Sequence, residues 1–135
     1  HCMATIDPTR ESFSQLFVNT APDKPVTMLN LLRFRDEAQY PPTHCEPPCS
    51  GRKAYARYSA NALQSVAAAG GQVMWQGQAR HALVAPEGER WDAVLLVQYP
   101  SAAAFMDMVR SPAYQAFVHH RTAALEDARR RARQQ

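Results

Sequence analysis

No run of about 18 apolar residues occurs in this 135-residue chain, which excludes a membrane-spanning helix. No basic segment followed by an apolar run opens it, so no secretory signal is expected and the expected address is cytoplasmic. His1-Cys2, ahead of Met3, are set aside in reasoning about the fold. Cysteine is scarce: Cys2, Cys45 and Cys49 are an odd number without a leader, which argues against a disulfide framework. The five glycines form no phosphate-binding loop. There is no nucleophile elbow and no recognisable Ser-His-Asp order. An excess of one charge is also lacking. The formal charge is +3, but Arg129, Arg130, Arg131 and Arg133 supply four of the cations, and the rest of the chain carries about −1. A basic tail over 129–135 reads most simply as a solvated helix end or frayed terminus. Neither nucleic acid nor a membrane is the expected partner.

What is present is ordinary for a globular protein: 46% hydrophobic and 20% charged residues. The length allows one domain, 1–135, with its core over about 26–128. Asp7-Pro8 predicts a helix start, with Phe13, Leu16 and Phe17 as its apolar stripe. Val26 to Phe34 reads as a first strand. A long loop follows over 36–51, where Pro41, Pro42, Pro47 and Pro48 prevent regular structure; loops of this length are either functional or disordered. Arg52 to Ala69 predicts a helix with Tyr55, Tyr58, Ala62, Leu63 and Val66 inward, ended by Gly70-Gly71. Val73 to Val84 is a second strand that sets Val73, Trp75, Gly77, Ala79, His81 and Leu83 on one face. Pro86 to Arg90 is a hairpin turn, and Trp91 to Tyr99 is a third strand pairing antiparallel with the second. Ser101 caps a helix carrying Ala102, Phe105, Met106 and Val109. Ser111-Pro112 opens a last helix with Tyr114, Phe117, Val118, Arg121 and Leu125 on one side.

The order after the leading helix is β-α-β-β-α, the start of a ferredoxin-like α+β unit. A fourth strand is due where 127–135 stands, but that stretch is Arg-rich and reads as a poor strand: truncated, short or helical. The first and third strands are apolar on both faces, while the helices suffice to cover one face of a small sheet. The expected cover for the other is a second copy of the chain.

Tyr99-Pro100-Ser101, followed by Ser111-Pro112-Ala113-Tyr114-Gln115, resembles the DUF1330 family, as do Met28-Leu29-Asn30-Leu31-Leu32 and Gly70-Gly71. The resemblance covers roughly Val26 to Ala128. It implies the dimeric α+β barrel superfamily, in which two ferredoxin-like subunits press their sheets together. Relatives in that superfamily include cofactor-free monooxygenases, muconolactone-type isomerases, haem proteins and stress-responsive proteins. DUF1330 itself carries no agreed activity. The N-terminal helix and the Cys/Pro-containing loop depart from its compact pattern.

Two polar residues interrupt apolar faces: Asn30 among Val26, Met28, Leu32 and Phe34, and His81 among Trp75, Ala79 and Leu83. Each is either a satisfied structural residue or a ligand-orienting group in a mostly apolar pocket. His81 is the candidate general base. Tyr58 and Trp75 are candidate ligand-binding residues whose plainer role is packing. Arg121 either holds a carboxylate or snorkels to solvent. His119 and His120 are adjacent and expected on different sides of their helix, so they are not expected to chelate as a pair. His44, Cys45 and Cys49 resemble half a zinc site, whose fourth ligand is missing unless Glu46 or a partner chain supplies it; no metal and no cofactor is expected. The functional expectation is a small-molecule-binding protein or cofactor-independent enzyme, isomerase- or monooxygenase-like, for a small apolar or aromatic compound. The alternatives are a non-catalytic dimeric scaffold or stress-associated protein, and a haem protein.

Overall fold

The computed structural model describes residues 7–44, 46–79 and 89–134. Along the chain run α1 (Arg10–Asn19), β1 (Val26–Phe34), α2 (Gly51–Ala68), β2 (Gln72–Gln78), β3 (Ala93–Tyr99), α3 (Ala102–Arg110), α4 (Pro112–Gln115), α5 (Val118–Ala124) and β4 (Leu125–Arg133). The strands form one sheet in the order β2-β3-β1-β4, with every ladder antiparallel. This β-α-β-β-α-β order, with β1 and β3 central, is the ferredoxin-like arrangement.

β1 alternates buried and half-buried residues along its whole length. Val26, Met28, Asn30, Leu32 and Phe34 face the helices. Val97 and Tyr99 of β3 stand opposite Met28 and Val26 on that face. Against them pack Tyr58, Ala62 and Val66 of α2, Phe105 and Met108 of α3, and Tyr114 of α4. A smaller cluster gathers Leu32, Phe34, Ala54, Ala124, Leu125 and Ala128.

Local chemistry sets the helix ends. Thr9, not Asp7, caps α1: its hydroxyl accepts from the Ser12 amide at 3.0 Å while the Ser12 hydroxyl accepts from the Thr9 amide at 2.8 Å. This reciprocal box satisfies two orphan donors at once. Phe13 and Leu16 turn inward, but Phe17 is exposed, so the stripe is narrower than the spacing suggests. On α2, Leu63 is exposed in place of the expected inward position, and Ala54 takes its share of the core. Gly70, at φ 79°, closes the C-terminus of α2, a conformation that costs an L-residue about 1–2 kcal/mol.

Four expectations need correction. The single last helix is broken into α4 and α5, because Phe117 leaves helical geometry (φ −125°, ψ 0°) and packs its ring 5.3 Å from Tyr114 and 5.8 Å from Tyr58. Ring burial outweighs helix continuity there. Leu125 opens a strand rather than extending that helix. The Arg-rich tail is β4, not a frayed end, and pairs with β1 from Leu125 to Arg133. Ala128, Arg130 and Ala132 stand opposite Leu32, Asn30 and Met28 on the helix side, so Arg129, Arg131 and Arg133 project to the other side. The second strand ends at Gln78, and a register shift between Val73 and Trp75 puts these two on opposite faces: Val73 pairs Val97, Trp75 pairs Leu96. Most of the hairpin turn, and His81 with it, lie outside the described residues.

The sheet face away from the helices carries Leu29, Leu31, Val94 and Leu96, all half-buried, and Trp75, which is 54% exposed. Among the described residues no helix is long and apolar enough to cross a membrane.

Candidate functional site

Between α1 and the β1–β4 edge opens a cleft of about 660 Å³, within the range of small-molecule pockets. Phe13 and Leu16 of α1, Met28 of β1 and Phe105 of α3 form its apolar wall; Arg121 of α5 and Arg130 of β4 bring two guanidiniums to it. Arg121 is 2% exposed, so of its two expected roles it does not snorkel to solvent. Its Nη1 lies 3.4 Å from the Asp7 carboxylate, which is itself largely exposed. Arg130 donates from Nε to Asn30 Oδ1 at 2.7 Å and lays its guanidinium 5.3 Å from the Phe105 ring centre. Asn30 in turn donates to the Met28 carbonyl at 3.2 Å. Asn30 is therefore a satisfied core residue that stands behind Arg130 and orients it.

Phenols surround the two cations. Tyr58 and Tyr114 share a hydroxyl–hydroxyl hydrogen bond of 2.7 Å, and Tyr55 packs its ring 5.2 Å from that of Tyr58. Burial pushes the Tyr58 phenol well above its ordinary value, with the neighbouring Tyr114 adding to the rise. Burial likewise lifts Tyr99 to about 12. Burial and then the Arg130 charge push Arg121 down. Burial also opposes the charge of Arg130, but the surrounding phenols outweigh it and the net direction is upward. Both guanidiniums stay protonated across any working pH. The cleft is thus an apolar pocket with two fixed positive charges on its floor.

Trp75 does not join this group, since it lies on the opposite sheet face. Tyr58 is core rather than cleft wall, and His81 lies outside the described residues. Sequence reasoning missed Arg130, which reads as part of a tail. The signal was present as the period-two alternation of Ala128, Arg130 and Ala132.

A second cluster sits where the long loop meets α5. The loop is stitched to neighbouring backbone: Arg35 donates to the Ala124 carbonyl at 2.8 Å, Gln39 to the Ala123 carbonyl at 2.9 Å, and Ala38 to the Cys49 carbonyl at 2.9 Å. This brings Tyr40 to His120, whose Nδ1 shares a 2.6 Å hydrogen bond with the phenol. His44 stacks on His119, with centroids 4.0 Å apart and planes within 6°. His119 and His120, expected to diverge, hold their rings 4.1 Å apart. They occupy the first turn of α5, directly after the Phe117 break. Glu46 faces His119 Nε2 through Oε1 and Arg57 through Oε2, each at 3.8 Å. Burial, and then a neighbouring imidazole, lower both His119 and His120. Cys49 is a free thiol outside this group, and Cys45 lies outside the described residues.

Residues 49–130 match the family described as Domain of unknown function (DUF1330). A protein of unknown function from Rhodopseudomonas palustris is 41% identical, with 98% of each chain covered and a TM-score of 0.89. The chain belongs to the DUF1330 family. More distant structures share the fold alone. One is the hydroxynitrile lyase of Passiflora edulis, at 15% identity over 84% of this chain and 95% of that one, TM-score 0.51. Another is a dimeric ferredoxin-like protein of unknown function from Bacteroides fragilis, at 13% identity over 85% and 100%, TM-score 0.51. No curated protein matches the chain.

Proposed function

We propose that this protein binds a small organic anion with an apolar or aromatic body in the cleft between α1 and β4. One observation carries the reading: two guanidiniums, Arg121 and Arg130, meet at the floor of a pocket walled by Phe13, Leu16, Met28 and Phe105. A buried cation costs several kcal/mol of desolvation unless an anion offsets it. The Asp7 carboxylate, 3.4 Å from Arg121, is more than half exposed and stands at the mouth of this cleft. A ligand carboxylate would meet these cations in the bidentate geometry that guanidinium favours. The apolar walls would select the body of such a ligand and the cations its head.

A thermal-shift and calorimetric comparison of aromatic carboxylates with their matched amides and alcohols tests the proposal. Carboxylates should stabilise the chain and the neutral analogues should not, because binding to the folded state raises its stability by mass action. Arg121→Met should abolish the preference. Equal response to charged and neutral analogues, or no response to either, overturns it.

We further propose that two copies pair through the helix-free face of the sheet into an α+β barrel. The support is the apolar character of that face: Leu29, Leu31, Val94, Leu96 and the exposed Trp75. Trp75→Glu should convert a dimer to a monomer in sedimentation velocity. A wild-type chain that sediments as a monomer at high concentration refutes the pairing.

A further inference from the structure

We propose that Glu46, His119 and His120 form a binding site for one divalent transition-metal cation, separate from the cleft. One ligand atom from each lies within 4.8 Å of the other two, close enough for a single ion to gather them with small side-chain adjustments. Two imidazoles and one carboxylate are the ligand set of open zinc sites and of the facial arrangement used by other first-row metals.

What surrounds these three residues argues for a metal rather than a chance meeting of side chains. Tyr40 holds His120 Nδ1 at 2.6 Å. That leaves Nε2 for an ion, with the phenol oxygen accepting from Nδ1–H, the kind of outer contact that fixes the ring of a metal-bound histidine. His44 stacks on His119 and fixes the plane of that ring. The two oxygens of Glu46 face different partners, Oε1 toward His119 and Oε2 toward Arg57, so one can bind a metal while the other stays with the guanidinium. The side chains of His119 and Glu46 are 17% and 28% exposed, which gives an ion a way in and leaves room for water in its open positions. The ligands come from two elements, the loop before α2 and the first turn of α5. A bound ion would therefore pin the long loop against the last helix.

The test uses the full chain, freed of metal with a chelator, titrated with Zn²⁺ by calorimetry and with Co²⁺ by visible absorption. One equivalent of Zn²⁺ should bind, and Co²⁺ should give ligand-field bands. His119→Ala and His120→Ala should each weaken Zn²⁺ by more than about 100-fold, and Tyr40→Phe, which removes the hydroxyl that holds His120 Nδ1 and accepts from Arg57, by about 10-fold. Glu46→Gln keeps the side-chain shape and removes the ligand charge; it should weaken binding even if a histidine variant folds poorly. Cys45→Ser/Cys49→Ser should bind as the parent does. Failure of the parent to take up one equivalent overturns the proposal. So does full-strength binding in His119→Ala/His120→Ala, or its loss in the cysteine variant, which would move the metal to the thiols.

Discussion

Asn30 and Arg130 are 100 residues apart in sequence and joined by one 2.7 Å hydrogen bond, and the bond can be measured directly. Asn30 is 4% exposed, so its amide has little water to turn to when Arg130 is removed. Hydrogen bonds to a charged group contribute about 1.5–3 kcal/mol, and a charged donor left buried without an acceptor loses more than a neutral one. Asn30→Leu keeps nearly the same width between Met28 and Leu32, so it adds no cavity. Its cost of about 2 kcal/mol should come almost wholly from the orphaned guanidinium. Arg130→Leu removes that charge, relieves its repulsion with Arg121, and leaves only a neutral amide unsatisfied; it should cost about 1 kcal/mol. The double variant replaces both partners with apolar groups and should lie within about 1 kcal/mol of the parent. The coupling energy should then be about 2 kcal/mol. With a urea slope of about 1–3 kcal/mol/M, that is a midpoint displacement on the order of 1 M, readily resolved by circular dichroism. All four proteins should be compared at one concentration, since any pairing of chains adds to apparent stability. A coupling below about 0.5 kcal/mol would refute the reasoning, because Arg130 would then be hydrated through the cleft rather than held by Asn30.

Gly51 begins α2 with its Cα against the backbone of Arg35 and Ala124. A Cβ there would meet the Arg35 carbonyl, lie 2.6 Å from the Ala124 carbonyl and 2.7 Å from the Arg35 nitrogen, so Gly51→Ala should cost about 2–4 kcal/mol in urea unfolding. A cost below about 1 kcal/mol would contradict that packing. Alkaline pH should weaken the fold: burial raises the Tyr99 phenol from its ordinary value of 10.0 to about 12, so the unfolded chain loses this proton first. The stabilisation is complete below pH 10 and lost between 10 and about 12, up to about 3 kcal/mol, with Tyr55 and Tyr58 shifted in the same direction. Urea midpoints that stay level or rise across that window would exclude it. Tyr58→Phe and Tyr114→Phe should each cost about 1 kcal/mol and the pair together little more than either alone, since both remove the same hydroxyl contact.

The sequence was most legible where a local pattern and the tertiary environment agree. β1 ends where its alternation ends, and α2 lies within a residue of its expected bounds, because each buries the face its periodicity marks. It was least legible where side-chain burial overrode local propensity. Nothing near Phe117 in sequence says that its ring will leave the helix to join Tyr58 and Tyr114. Asp7-Pro8 is a stronger cap signal in isolation than Thr9, yet the reciprocal Thr9–Ser12 pair wins by satisfying two amides at once. In β4, Leu125 and Ala128 are buried while the strand beyond them is mostly half-buried or exposed. Judged by its charge alone, the segment shows two acids and four arginines and looks solvated. Alternation at period two, with alanine on the side that meets the helices, was the better guide.

Both candidate sites depend on that same strand and helix. Arg121, His119 and His120 lie within three residues on α5, yet Arg121 turns into the cleft while the two histidines meet the long loop. Arg130 follows on β4, where pairing with β1 places it beside Asn30. Within α5 each residue turns about 100° from the last, so Arg121 points away from His120 and toward the cleft, while the switch to strand at Leu125 gives Arg130 its partner on β1. The break at Phe117 and the start of β4 at Leu125 therefore do more than end a helix. They divide four cationic or metal-binding side chains between a buried pocket and an accessible loop; period two places Arg130, and the rest of the division shows only once Tyr58, Tyr40 and Asn30 are placed around them.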